Sequence, residues 1–168
     1  MEKIEFNNVY KLVMELAKRG VSVDYSIIDQ EVKGIKCYSS LKIYTINVCE
    51  KDSYGTVIKS ASFDSLIYGM SWGIMIALDY LEKKDSNITL NDLNETPLCQ
   101  VADLAKKGIA IDYTITHDKN QELAYAITIT KTQSFGETIT KDIFYDLDEG
   151  MKYGITIAEV YLASRVCK

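Results

Sequence analysis

The chain has 168 residues, 47% hydrophobic and 26% charged, with a formal net charge of −5; this length suits one domain or two small ones, and this composition excludes a disordered or fibrous polypeptide. With 19 Lys and Arg against 24 Asp and Glu, nucleic acid is an unfavoured partner, because affinity for it comes largely from cations neutralising phosphates. The longest apolar stretch, Leu66 to Leu78, is shorter than the roughly twenty residues of a bilayer span, and no basic-then-apolar secretory leader opens the chain, so a cytoplasmic protein is expected.

The first predicted element is a helix. Val9, Leu12, Val13, Leu16 and Ala17 fall on one helical face, Asn7 or Asn8 can cap it, and Gly20 can stop it in the left-handed region. The period then changes to two: Val21, Val23, Tyr25 and Ile27 alternate with Ser22, Asp24 and Ser26 in a strand. A second strand runs through Tyr44, Ile46 and Val48, and the turn Asp52-Ser53-Tyr54-Gly55 leads into a third around Ile58. A long helix from about Ser62 to Lys83 closes this unit, with Phe63, Leu66, Met70, Gly73, Ala77 and Leu81 as its apolar stripe. Residues 85–95 are polar and rich in Asp and Asn and read as a linker.

The order then repeats. Thr96 and Pro97 open a helix that Gly108 ends, and Ile109, Ile111, Tyr113 and Ile115 alternate in a strand. Strands around Ile127 and Ile139 flank the turn Gln133-Ser134-Phe135-Gly136, and a helix from about Ile143 to Val166 carries Phe144, Leu147, Met151, Gly154, Ala158 and Leu162. Residues 12–27 and 44–81 match residues 100–115 and 125–162 at 23 of 54 positions. The expected fold is therefore α+β: two tandem α-β-β-β-α units from an internal duplication, residues 1–84 and 96–168. Each would be an antiparallel three-stranded sheet covered by two helices, and the units would pack with quasi-two-fold symmetry because units near 80 residues are marginal alone. This order of elements resembles the double-stranded-RNA-binding domain. The basic cluster that grips phosphate in that family is replaced here by Ser62-Phe63-Asp64-Ser65 and by Asp142-Ile143-Phe144-Tyr145-Asp146, so the resemblance implies a fold and not RNA binding.

Both long helices carry Gly-Met-x-aromatic-Gly-Ile. Each helical glycine costs about 1 kcal/mol relative to alanine, so a neighbour must come close, either the other long helix or the helix's own sheet. The expected interface between the units comprises Gly69, Trp72, Gly73, Ile76 and Tyr80 with Gly150, Tyr153, Gly154, Ile157 and Tyr161. Asp24-Tyr25 and Asp112-Tyr113 recur at one strand position; paired carboxylates could do acid–base or metal work if the sheets faced each other, although a solvated aspartate is the ordinary outcome.

The −5 charge lies wholly after residue 84, where 8 basic side chains meet 13 acidic ones. Asp142, Asp146, Asp148 and Glu149 cluster at the start of the last helix, as ordinary complements to its dipole or as an acidic docking patch. The single histidine, His117, falls in a turn region expected to be exposed, and the cysteines at 37, 49, 99 and 167 form no Cys-x-x-Cys pair. No metal site, cofactor or catalytic motif is expected. The reading is a non-enzymatic protein-interaction module, monomer or homodimer, of the kind a bacterium or phage uses to inhibit a basic nucleic-acid-handling protein. The alternative is a small-molecule site or enzyme with a pocket at the junction of the units, lined by Trp72, Tyr80, Tyr153 and Tyr161. Residual nucleic-acid contact would rest on Lys33, Lys36 and Lys42.

Overall fold

Asn8 caps the first helix: its Oδ1 accepts from the Tyr10 backbone N–H at 2.9 Å at the start of α1 (Val9–Lys18). The computed structural model describes residues 8–30, 41–82 and 96–166. The expected linker at 85–95, Lys33 and Lys36, Cys37 and Cys167 lie outside the described residues.

Helix α1 ends at Gly20, whose φ of +86° only glycine adopts without strain, and the chain turns into β1 (Val21–Gln30). Strands β2 (Leu41–Glu50) and β3 (Val57–Phe63) complete an antiparallel sheet in the order β1-β2-β3, followed by α2 (Leu66–Glu82). The C-terminal half runs α3 (Thr96–Lys106), β4 (Ile109–His117), β5 (Leu123–Lys131), β6 (Thr138–Phe144) and α4 (Leu147–Val166), with a second sheet in the order β4-β5-β6. Gly108 repeats the +86° φ of Gly20. The fold is thus α+β, with two three-stranded antiparallel sheets and four helices.

Both long helices start later than the spacing predicts. Phe63 and Phe144 belong to strands, paired with Tyr44 and Tyr125. Capping decides the boundary: Ser65 Oγ accepts from the Tyr68 N–H at 3.3 Å, and Asp146 Oδ1 accepts from the Glu149 N–H at 3.0 Å.

The glycines of these helices face their own sheets. A Cβ on Gly69 would come within 2.9 Å of Ile46 and Phe63, and one on Gly73 within 2.8 Å of Ile46 and 2.9 Å of Val23. Gly150 lies on Ile127 and Phe144, and Gly154 on Ile111 and Ile127. The aromatic neighbours do the same, Trp72 packing on Phe63 at 5.3 Å and Tyr153 on Phe144 at 5.2 Å. Tyr80 donates to Glu50 of β2. Ile76, Ile157 and Tyr161 are half-buried against the core. The expected clasp of α2 on α4 through these residues is therefore replaced by two helix-on-sheet contacts, because branched side chains of β1 and β2, and of β4 and β5, need the space that a missing Cβ leaves.

The halves meet instead along β1 and β4. Tyr25 and Tyr113 stack edge to face there with centroids 5.3 Å apart, and Tyr10 adds a third ring 6.2 Å from Tyr113. One hydrophobic cluster runs through both halves, from Leu12 and Val23 to Ile111 and Met151, which removes the marginality of two small separate cores. No helix among the described residues is long and apolar enough to cross a membrane.

Candidate functional site

An exposed edge strand presents unpaired N–H and C=O groups, and β1 and β4 are the edges that meet. Each is covered by the β2–β3-type turn of the opposite half. Ser53 donates its backbone N–H to Ile115 O at 2.9 Å and accepts the Ile115 N–H on Oγ at 2.8 Å. With the halves exchanged, Ser134 donates to Ile27 O at 2.7 Å and accepts the Ile27 N–H at 2.8 Å. One serine thus replaces one rung of a sheet ladder. Both turns are tight, since a Cβ on Gly55 would fall 1.7 Å from Glu50 O and one on Gly136 2.2 Å from Lys131 O.

These anchored turns push Tyr54 and Phe135 outward, to 75% and 90% exposure. Both also line a cavity of about 220 Å³ between β1 and β4, with Asp24 and Asp112 in its wall beside Tyr25 and Tyr113 of the same strands. Strand alternation explains the placement: neighbouring residues point to opposite faces, so a tyrosine sent to the core sends its aspartate the other way. The aspartates are not the solvated pair expected from sequence.

Asp24 is 7% exposed. Its Oδ1 accepts from Asn47 Nδ2 at 3.1 Å, and Asn47 Oδ1 in turn accepts from Ser60 Oγ at 2.8 Å. Its other oxygen, Oδ2, is buried with no hydrogen-bond partner; the Ser53 hydroxyl is close by but outside bonding geometry. Burial pushes the Asp24 carboxyl above its usual range, with Ser53 and Asn47 working in the other direction. Asp112 faces Thr128 and, one strand further, Lys141. Its carboxyl is pushed up to about 6 by burial, opposed by the Ser134 hydroxyl, raised further by the charge of Asp24 and opposed again by Lys141. Two carboxylates of one sign therefore share a small, poorly hydrated space, and among the described residues neither is in an ion pair. Such a wall attracts a cation or holds a proton.

The expected acidic patch is divided. Asp148 is buried, with Oδ1 accepting from Asn8 Nδ2 at 2.8 Å and Oδ2 from Lys152 Nζ at 2.7 Å. Although burial pushes its carboxyl up, these partners outweigh that and hold it below the usual range. Asp142 accepts from Thr140 and Tyr153, each at 2.9 Å. Asp146 caps α4, which leaves Glu149 as the exposed member. Lys42 is buried as well, ion-paired with Asp29 and donating to Thr132 O at 2.6 Å, so it is spent on the junction rather than offered to phosphate.

A larger cleft of about 840 Å³ lies elsewhere on the junction, between the end of α1 and the β4–β5 turn, with Lys18, Lys51, His117 and Tyr145 among its lining. None of Trp72, Tyr80, Tyr153 and Tyr161 lines it. His117 ends β4 half-buried, its Nδ1 3.1 Å from Asp52 Oδ2. Among the described residues no group of three or more His, Cys, Asp or Glu is placed to hold a metal ion. Comparison with protein-family models, curated proteins and solved structures gives no match for this chain.

Sequence reasoning passed over Ser53 and Ser134, Tyr54 and Phe135, and the reach of Tyr25 and Tyr113 across the junction. The signal was present: Ser and Gly recur around an aromatic in both turns, which is more than a hairpin turn alone requires.

Proposed function

We propose that this chain is an internally duplicated, quasi-two-fold interaction module that docks on a basic protein and performs no catalysis itself. The matching order of elements and the hydrogen bonds exchanged between Ser53 and Ile115 and between Ser134 and Ile27 support the duplication. The observation that carries the docking role is the exposure of Tyr54 and Phe135 on turns the opposite half holds rigid. Folding gains nothing from either ring, since burying such a side chain is worth about 1.5–3 kcal/mol and here that gain is forgone. Phe135 also adopts a φ of +66°, a conformation that costs a non-glycine residue roughly 1 kcal/mol. Rigid exposed aromatics are typical anchors of protein interfaces, and the acidic C-terminal half favours encounter with a basic partner. A bacterial or phage inhibitor of a nucleic-acid-handling protein fits this description.

The test is affinity capture from the native host with the wild type and with Tyr54→Ser/Phe135→Ser, followed by titration of the purified captured protein. A basic protein should be retained at low salt and bind the double variant at least about tenfold more weakly, with the thermal midpoint of the module unchanged. Capture of no basic protein, or equal affinity for both forms, rejects the reading.

A second reading rests on the 840 Å³ cleft, whose volume suits a small molecule and whose His117–Asp52 pair fixes an imidazole at its edge. A thermal-shift screen decides it, since a ligand at 100 times its dissociation constant adds about 2.7 kcal/mol. No shift across metabolite and nucleotide panels removes it.

A further inference from the structure

We infer that the cavity between β1 and β4 is a receptor for one guanidinium group, that of an arginine side chain presented by the basic partner. This rests on the docking role proposed above and gives it an address in the fold.

The first reason is the state of Asp24. A carboxylate oxygen that is buried and unpartnered is costly, and Oδ2 of Asp24 is both, on a residue that lines the cavity. A donor arriving from outside would complete it. The second reason is Asp112, whose carboxylate lies in the same wall and feels the charge of Asp24. One cation between them relieves the desolvation of both and their mutual repulsion. The third is size: about 220 Å³ is below the roughly 300 Å³ at which pockets begin to take drug-sized ligands, yet ample for a side-chain terminus.

The rim selects among cations. Tyr54 and Phe135 both line the cavity, on turns anchored to β4 and to β1 respectively, where their exposed rings can pack on the methylene stem of a long side chain or the face of its charged group. Guanidinium is planar, stacks on aromatic faces and donates in a fork that matches carboxylates, whereas ammonium is compact and strongly hydrated. Two carboxylates below two aromatics therefore favour arginine over lysine. Two strands over from Asp112 stands Lys141, whereas the matching position beyond Asp24 and Asn47 is the neutral Ser60, so the Asp24 side is the principal seat of the charge.

The test uses N-acetyl-arginine amide as probe, followed by the side-chain carboxyl carbon resonances of the aspartates in the intact protein. The resonances of Asp24 and Asp112 should shift with saturation, and the neutral isostere N-acetyl-citrulline amide should leave them unmoved. Asp24→Asn and Asp112→Asn remove a desolvated charge each and should fold at least as stably as the wild type; each should weaken the probe at least about tenfold. Unmoved resonances, or equal response to the citrulline compound, overturn the receptor site while leaving the docking role to the Tyr54→Ser/Phe135→Ser titration. A probe that binds wild type, alongside partner capture that Asp24→Asn does not weaken, overturns the assignment to the partner's arginine.

Discussion

Tyr25 and Tyr113 tie the two halves by exchanged hydrogen bonds: the Tyr25 hydroxyl donates to Ile111 O at 3.0 Å, and the Tyr113 hydroxyl donates to Val23 O at 2.7 Å. Both accepting carbonyls belong to edge strands, so each phenol closes an acceptor that no neighbouring strand reaches. Burial drives both phenols far above their ordinary titration range and keeps them neutral donors.

Tyr113→Phe should therefore destabilise the protein by about 1–3 kcal/mol, because it strands a buried carbonyl as well as removing a bond. Tyr10→Phe is the control. The Tyr10 hydroxyl is buried without a bonded partner; it lies beside the Tyr25 hydroxyl, which is committed to Ile111. Its loss should be neutral or stabilising. Urea denaturation of both variants checks the order, and a Tyr10→Phe as damaging as Tyr113→Phe would mean that the trio bonds differently.

The glycines separate two kinds of cost. Gly20→Ala meets open space and only a left-handed φ of +86°, which costs about 1–2 kcal/mol. Gly55→Ala would drive a Cβ to 1.7 Å from the backbone oxygen of Glu50, and no rotamer change relieves a clash with main chain. The turn must open, which also pulls Ser53 from Ile115. Gly55→Ala should fold far less stably than Gly20→Ala, and equal melting temperatures would contradict the tight turn.

How much of this was legible in the sequence follows from the range of each interaction. Helix and strand order depends on local period, and the alternation around Tyr25 and the capping position of Asn8 are local, so both were readable. The cut between β3 and α2 was misplaced by a few residues because Phe63 suits an apolar strand end and an apolar helix face equally. The junction was misassigned for a deeper reason. Gly69 and Gly73 announce a close neighbour but not its identity, and the branched side chains of Ile46 and Val23 on their own sheet supply it. Asp24 and Asp112 were recognisable as a matched pair, but their burial depends on turns more than twenty residues away along the chain, which periodicity does not reach.

The acidic cluster at α4 should divide under mutation. Asp148→Ala leaves Asn8 Nδ2 without its acceptor and Lys152 without its anion, and removes a link between the N-cap of α1 and the first turn of α4. A loss of about 1–3 kcal/mol is expected. Glu149→Ala, at an exposed position, should stay within about 0.5 kcal/mol of wild type. Chemical denaturation distinguishes them, and matching values would show that Asp148 is as solvated as its neighbour.

The carboxyl of Asp112 gives stability a pH dependence opposite to that of ordinary acid denaturation. Its folded value near 6 lies above the usual 3.8, so the folded state binds this proton more tightly than the unfolded chain does. The resulting stabilisation is complete below about pH 4 and disappears as pH rises through about 6, leaving at pH 8 a deficit on the order of 2–3 kcal/mol at most. Asp148, held below its usual range, acts in the reverse sense: its contribution is present above about pH 4 and falls away under acid. Comparing wild type with Asp112→Asn at each pH cancels the Asp148 contribution, because both proteins carry it. The variant should melt higher than wild type at pH 8, with the gap narrowing toward pH 4. A gap of the same size at both pH values would mean that Asp112 titrates as an ordinary solvated aspartate and that the cavity wall is not the desolvated surface described above.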